Sequence, residues 1–180
     1  MADEPTNDRE LTAEELHEIE RKYDPELAFR TTGRGIALIV SVILVAMSAY
    51  HFYASGFGLV RELLHRGIHL SFVLGLVFLL FSWRRSTPQE PPAPAWYRPG
   101  GVPLLDMVFA IMAVGAALYL PLLPPQVVSI RVGNPSEMDV LMGTALLLLT
   151  LEATRRSVGP TLPIIALIFV AFAIFGPWAP

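Results

Sequence analysis

Cysteine is absent from the 180 residues of this chain, which excludes disulfides, thiol catalysis and cysteine-based metal sites. Charged side chains are scarce, at 16% of the sequence. Ten of the 16 acidic residues come before position 27, so the rest of the chain holds few carboxylates. The first 30 residues lack the apolar run of a cleavable signal peptide. We therefore expect the first apolar block to direct membrane insertion itself.

Long apolar blocks, separated by short polar joints rich in proline, make up the sequence after its acidic start. A bilayer core takes about 20 apolar residues per helix, and several blocks approach that length. The blocks cover residues 35–54, 63–82, 104–123, 138–154 and 161–175. They predict an all-α, polytopic membrane helical bundle with four transmembrane helices plus a fifth C-terminal one. The expected units are a cytoplasmic tail (1–34), a four-helix unit (35–156) and a fifth, connecting helix (157–180).

A short amphipathic helix is predicted in the cytoplasmic tail. Thr12 and Glu15 have the spacing of a capping box, and Pro25 should end the helix because proline clashes with a continuing helical turn. Its apolar stripe is narrow. We expect a solvated helix lying against the protein's own cytoplasmic face, with binding to a partner as the open alternative.

Orientation is predicted from the basic residues, because cytoplasmic loops of membrane proteins carry an excess of lysine and arginine. The N-terminal tail, the joint between blocks two and three and the joint between blocks four and five hold ten of the 13 basic residues. The alternate joints hold the other three. The N-terminus should therefore be cytoplasmic and the C-terminus external.

The fourth block ends in a charged trio, with Glu152 one helical turn before Arg155 and Arg156. At spacings of three and four residues, opposite charges meet on a helix. A charge inside a bilayer is costly unless it pairs or reaches the interface. We expect an interfacial ion pair that anchors the helix end, with the arginines reaching toward lipid headgroups. A salt bridge to another helix or subunit and a proton- or ion-coupling carboxylate are the open alternatives.

Three histidines are expected near the external interface. His51 ends the first block, and His65 and His69 stand four residues apart in the second. Two histidines at this spacing can chelate a metal, but a site needs a third ligand, usually supported by a carboxylate. Glu62 is close in sequence, yet no zinc signature is present, so we predict no metal and no cofactor. Arg66 and His69 are expected to make interfacial hydrogen bonds, with external proton sensing as an alternative.

Helix starts and close helix contacts also have local signals. Asp106 is a plausible cap for the third block, and Ser136 with Asp139 has the spacing of a capping box for the fourth. Gly75 and Gly115 have small neighbours and should permit close approach of helices.

The predicted membrane interior contains almost no polar side chain. Transporters bind their substrates and coupling ions near the bilayer centre with polar groups and broken helices, and neither is evident in the sequence. This chain alone therefore lacks the residues for catalysis or transport, and we predict that it is not an enzyme. No motif indicates nucleic-acid binding.

Four segments carry a family resemblance. They are "LTAEELHEIERKYDPELAFR" before the first block, "HFYASGFG" after it, "RGIHLSFVLGLVFLLF" in the second, and "LEATRRSVGPTLPIIALIFVAFAIFGPW", which is the most specific. The chain resembles the N-terminal part of fused permeases of tripartite ATP-independent periplasmic (TRAP) transporters. The most similar class is the 4TM/12TM fusion that works with TAXI-type solute-binding proteins. The resemblance covers nearly the whole chain, from about residue 11 onward.

The resemblance implies the small, Q-type unit of such a transporter plus a fifth helix. In that family a large multi-helix permease unit carries the substrate and ion sites, and the small unit braces its immobile scaffold. A periplasmic binding protein delivers organic solutes to the outer face. The expected location is a bacterial or archaeal inner membrane. Fused permeases continue for several hundred residues further, so the chain would be a separate subunit or a fragment of a longer product.

Two other classes of function remain open. The chain could be a stand-alone membrane interaction protein that recruits a partner through its acidic N-terminal helix. It could also be a membrane metal or haem protein that uses His51, His65 and His69. Co-purification with a large permease would favour the transporter subunit, whereas bound metal or visible absorbance would favour the third class.

Overall fold

The computed structural model describes residues 12, 29–30, 32–58, 61–83 and 97–176. These residues form α-helices and no strand, so the predicted all-α class is confirmed. An isolated backbone bridge joins Phe29 to Phe81. Apart from Thr12, the predicted amphipathic helix lies outside the described residues.

Each of the five predicted apolar blocks is helical. Helices α1 (Arg34–Phe57), α2 (Glu62–Leu80) and α3 (Leu104–Leu122) cover the first three blocks. A short helix α4 (Pro125–Ile130), which we did not predict, follows α3. Helices α5 (Glu137–Ser157) and α6 (Thr161–Phe175) cover the last two blocks.

Three of the described helices, α1, α2 and α3, are long and apolar enough to cross a membrane. Helix α5 has 21 residues, but every 18-residue stretch of it contains at least three charged side chains. Helix α6 has 15 residues, which at about 1.5 Å per residue is shorter than a bilayer core of about 30 Å. The structure is compatible with a membrane location through three helices, and the predicted four-plus-one arrangement is not confirmed.

Helices α2, α3 and α5 form the main core. Helix α3 runs antiparallel to both α2 and α5, because the end of α2 packs against the start of α3 and the start of α3 against the end of α5. The buried core side chains are Leu74, Phe78, Ala110, Ala113, Leu149 and Ala153. The small alanines let α3 pass closely between its neighbours.

A second, smaller core joins α1 to this bundle through its first turns. Ile36 and Val40 pack against Leu76 and Val102, and the Gly33 amide donates to the Gly100 carbonyl at 2.8 Å. The segment before α3 approaches α1 so closely at Gly100 that this position needs a glycine, because a Cβ there would lie 2.6 Å from Ile36 Cγ1.

Helices α2 and α3 approach each other closely at Gly67 and Pro121, where a Cβ on Gly67 would overlap Pro121 Cγ. Pro121 lies inside α3, in its last turn. Gly75 makes a close contact with Val114, as predicted, whereas Gly115 faces open space. The predicted capping box of Ser136 and Asp139 is confirmed at the start of α5.

Candidate functional site

A cluster of five charged side chains at one end of the bundle is the candidate functional site. Its members are Arg30, Asp106, Glu152, Arg155 and Arg156. They come from the segment before α1, the first turn of α3 and the last turns of α5. We call this set the charge cluster.

Arg30 lies in the charge cluster because the segment before α1 contacts the end of α2. The Arg30 amide donates to the Leu80 carbonyl at 2.8 Å, and the rings of Phe29 and Phe81 lie 4.8 Å apart. The Arg30 guanidinium also donates to the Phe81 carbonyl at 3.3 Å. These contacts anchor the side chain on the bundle, where it is only 9% exposed.

Asp106 is the centre of the charge cluster. One of its carboxylate oxygens accepts from Arg30 Nη2 at 2.5 Å, and the other accepts from Arg156 Nη1 at 2.8 Å. The Asp106 side chain is 3% exposed and that of Arg156 is 0% exposed. Asp106 lies at the start of α3 and Arg156 at the end of α5, so each charge also has the sign that its helix dipole favours.

Glu152 extends the cluster along α5. It accepts from Arg155 Nε and Nη2, both at 2.8 Å, and from Arg156 Nε at 2.7 Å. Its pairing with both arginines at three and four residues follows the predicted spacing. Arg156 therefore bridges two carboxylates, one on its own helix and one on α3.

Aromatic rings surround the Arg156 guanidinium. Its central carbon lies 4.9, 5.3 and 5.8 Å from the ring centres of Phe78, Trp83 and Phe109. The central carbon of the Arg155 guanidinium lies 5.0 Å from the centre of the same Trp83 ring. Guanidinium groups on aromatic faces gain cation–π attraction, which is stronger where water is excluded.

Positive charge is in excess in the charge cluster, since three guanidinium groups meet two carboxylates. Two buried nitrogens, Arg30 Nη1 and Arg156 Nη2, have no hydrogen-bond partner. Burying such charges costs several kcal/mol per ion, which the pairing must offset. Loss of one partner therefore leaves an uncompensated charge in the bundle.

Two expectations about these residues are wrong. Arg156 does not reach toward headgroups, because its side chain is fully buried between α2, α3 and α5. Asp106 does not cap α3: it accepts from no helix amide and binds two arginines instead. One feature of the sequence did indicate the contact between Asp106 and Arg156. The distribution of basic residues predicted that the start of the third block and Arg156 lie on the same side of the membrane.

The other two predicted site residues, Arg66 and His69, lie at the opposite end of the bundle. Arg66 pairs with Glu62 on the exposed surface of α2. His69 Nδ1 lies 2.8 Å from His51 Nε2 on α1. The structure therefore brings Glu152, Arg155 and Arg156 together but separates them from Arg66 and His69.

The charge cluster can hold structural elements together through its ion pairs. Each carboxylate accepts from two guanidinium groups, and guanidinium does not release its proton in proteins. The cluster thus contains no donor–acceptor pair suited to proton transfer. The described residues also hold no group of three or more histidine and carboxylate side chains placed to bind a metal ion. No protein-family model, curated protein or solved structure matches the chain.

Proposed function

We propose that this chain is a scaffold unit of a secondary transporter of the tripartite ATP-independent periplasmic type. It would act as the small Q-type subunit or as the N-terminal part of a fused permease, and it would brace the large permease unit. The observation that carries the proposal is the charge cluster, which ties three elements together immediately before α6. Helix α6 begins at Thr161, five residues after Arg156. The cluster therefore fixes the end of α5 from which the chain enters the connecting helix.

The proposed topology has four membrane-spanning helices, α1, α2, α3 and α5, and a fifth in α6. Pairing of Arg156 with Asp106 and Glu152 supports a crossing by α5, because paired ions are tolerated in a bilayer far better than single ones. The three segments assigned to the cytoplasm meet at the charge cluster: two contribute Arg30 and Arg156 to it, and the third contributes Trp83, whose ring packs against Arg156. This agreement supports a cytoplasmic N-terminus and an external C-terminus in a bacterial or archaeal inner membrane.

The proposed partners are the large permease unit and, at the outer face, a TAXI-type solute-binding protein. Apolar side chains on α6 support contact with the permease or lipid, because Pro163 is the one buried residue of that helix. Its large exposed side chains include Ile168, Phe169 and Phe172, each more than 60% exposed.

A pull-down of the tagged, detergent-solubilised protein from its native membrane, followed by mass spectrometry, tests the proposal. Recovery of a large multi-helix permease is the expected result. Recovery of the chain alone would contradict it, and recovery with a soluble protein would favour the stand-alone interaction protein.

Substitution of Glu152 sharpens this test. Glu152→Ala removes the carboxylate that holds Arg155 and Arg156, and it should lower the yield of the permease in the pull-down. Glu62→Ala is the matched control, because it removes another carboxylate paired four residues along a helix, but one that is exposed. Equal permease yields from the two variants would show that the cluster does not support assembly.

A further inference from the structure

Helix α1 is attached to the bundle unevenly along its length. Its two buried residues, Ile36 and Val40, both lie in its first two turns. Near its other end, contact with α2 is made by polar rings: Tyr50 meets His65, and His51 meets His69. The attachment of this end therefore depends on the hydrogen bonds of imidazole side chains more than on apolar burial.

Proton positions on His51 follow from its neighbours. His51 Nδ1 lies 2.7 Å from the Met47 carbonyl oxygen, and a carbonyl only accepts, so Nδ1 must carry a hydrogen. In a neutral ring Nε2 then has none and accepts the bond from His69 Nδ1 at 2.8 Å. Both rings of the neutral pair therefore carry their hydrogen on Nδ1.

The bond between the two rings survives one added proton but not two. With one proton, either His51 Nε2 donates to His69 or His69 Nδ1 donates to His51. With two, N–H groups occupy both sides of the 2.8 Å contact, so the bond is lost and two cations face each other. The neighbouring contact differs, because the Tyr50 oxygen can accept from a protonated His65 across their 3.0 Å separation.

Charges around the pair do not compensate a second proton. The His65 ring centre lies 5.5 Å from that of His51, so its protonation adds to the repulsion. On α2, Glu62 and Arg66 bind each other on the surface, and Arg61 donates to the Pro121 carbonyl. On α3 and α5, Tyr119 and Asp139 are also paired, because Asp139 accepts from Tyr119 and Arg131. Among the described residues, no carboxylate is bonded to either ring.

We propose that His51 and His69 form a proton-operated clasp between α1 and α2. The clasp is closed while the pair holds at most one extra proton, and it opens when both rings are protonated. Acidification of the solution at this end, which adds the second proton, releases the last turns of α1 from the bundle. This inference concerns a regulated contact and does not depend on the proposed transporter role.

Distances between spin labels test the clasp. The chain has no cysteine, so Phe52→Cys and Leu122→Cys introduce the only thiols, at sites 81% and 65% exposed. In nanodiscs with a chelator present, the mean distance should shift to longer values between about pH 8 and about pH 5. An unchanged distance distribution would overturn the proposal.

A conservative variant separates the clasp from general acid effects. In His69→Asn the amide can donate to neutral His51 or accept from its protonated form, so the distance should stay constant over the same pH range. His17→Asn changes a histidine far outside this pair in sequence and should behave like the parent. A pH-dependent shift that persists in His69→Asn would refute the clasp.

Nitrogen-15 NMR of labelled histidine rings gives a test that needs no variant to fold. Above neutral pH, at least two of the 4 histidines should show hydrogen on Nδ1 and an unprotonated Nε2. Fewer than two such rings would contradict the arrangement.

Discussion

Asp106→Asn is the sharpest test of the charge cluster. Asparagine keeps the shape of the side chain but removes its charge, so Arg30 and Arg156 lose their shared counter-ion. The amide oxygen can still accept from one guanidinium, whereas the amide nitrogen is turned toward the other as a second donor.

The magnitude follows from burial. Removing one partner of a buried ion pair costs about 3–5 kcal/mol, because the remaining charge stays unpaired. The side chains of Asp106 and Arg156 are 3% and 0% exposed, which places this pair at the buried extreme. We therefore expect the free energy of unfolding to fall by about 3–5 kcal/mol, or roughly two to four orders of magnitude in the unfolding equilibrium.

Reversible unfolding in mixed detergent micelles, followed by far-ultraviolet circular dichroism, measures this change. Glu62→Gln is the control, because it breaks an ion pair whose two side chains are more than 70% exposed, and it should leave the transition in place. A parallel Arg156→Gln variant and the double variant complete a mutant cycle, in which the double loss should be about 1–3 kcal/mol smaller than the sum of the single losses.

A loss of less than about 1 kcal/mol for Asp106→Asn would refute this reasoning, since that is the range of solvent-exposed pairs. Strict additivity in the cycle would also refute it, because it would show that Asp106 and Arg156 do not interact energetically.

Two further predictions concern helix packing and capping. Gly67→Ala places a Cβ against Pro121 and should destabilise the bundle by about 1–3 kcal/mol in the same assay; Gly115→Ala, which faces open space, should not destabilise it, and equal losses would contradict the contact. Ser136→Ala removes the cap of α5 and should cost about 0.5–2 kcal/mol. Ser129→Ala, which loses only an exposed bond to a carbonyl of its own short helix, is its control, and an unchanged midpoint for Ser136→Ala would show that the cap contributes nothing.

Helix positions were predictable from the sequence because apolar runs and flanking prolines are local signals. The fifth block, 161–175, coincides with α6 in full, and the start of α5 follows from Ser136 and Asp139. The number of membrane crossings was not predictable in the same way. The charged residues of α5 interrupt its apolar sequence, and the free-energy cost of placing them in a bilayer depends on their partners in other helices.

Contacts of the predicted site residues could be predicted from the sequence when they lie within one helix, but not when they join different helices. Pairing of Glu152 with Arg155 and Arg156 follows from helical spacing. Asp106 is 50 positions from Arg156, and no periodicity connects them. The two histidines of α2 share a helix face, as expected, yet they bind different residues of α1, because His65 meets Tyr50 and His69 meets His51.

The residues of the charge cluster are synthesised at different times, because they lie far apart in the sequence. Asp106 leaves the ribosome 50 residues before Arg156, which at about 5–20 residues per second is a wait of about 3–10 seconds. Arg30 was made 76 positions before Asp106, so a counter-ion is already present when α3 is inserted. Arg30 can therefore neutralise the aspartate while the bundle is incomplete, and Arg156 then binds the same carboxylate when α5 joins the bundle.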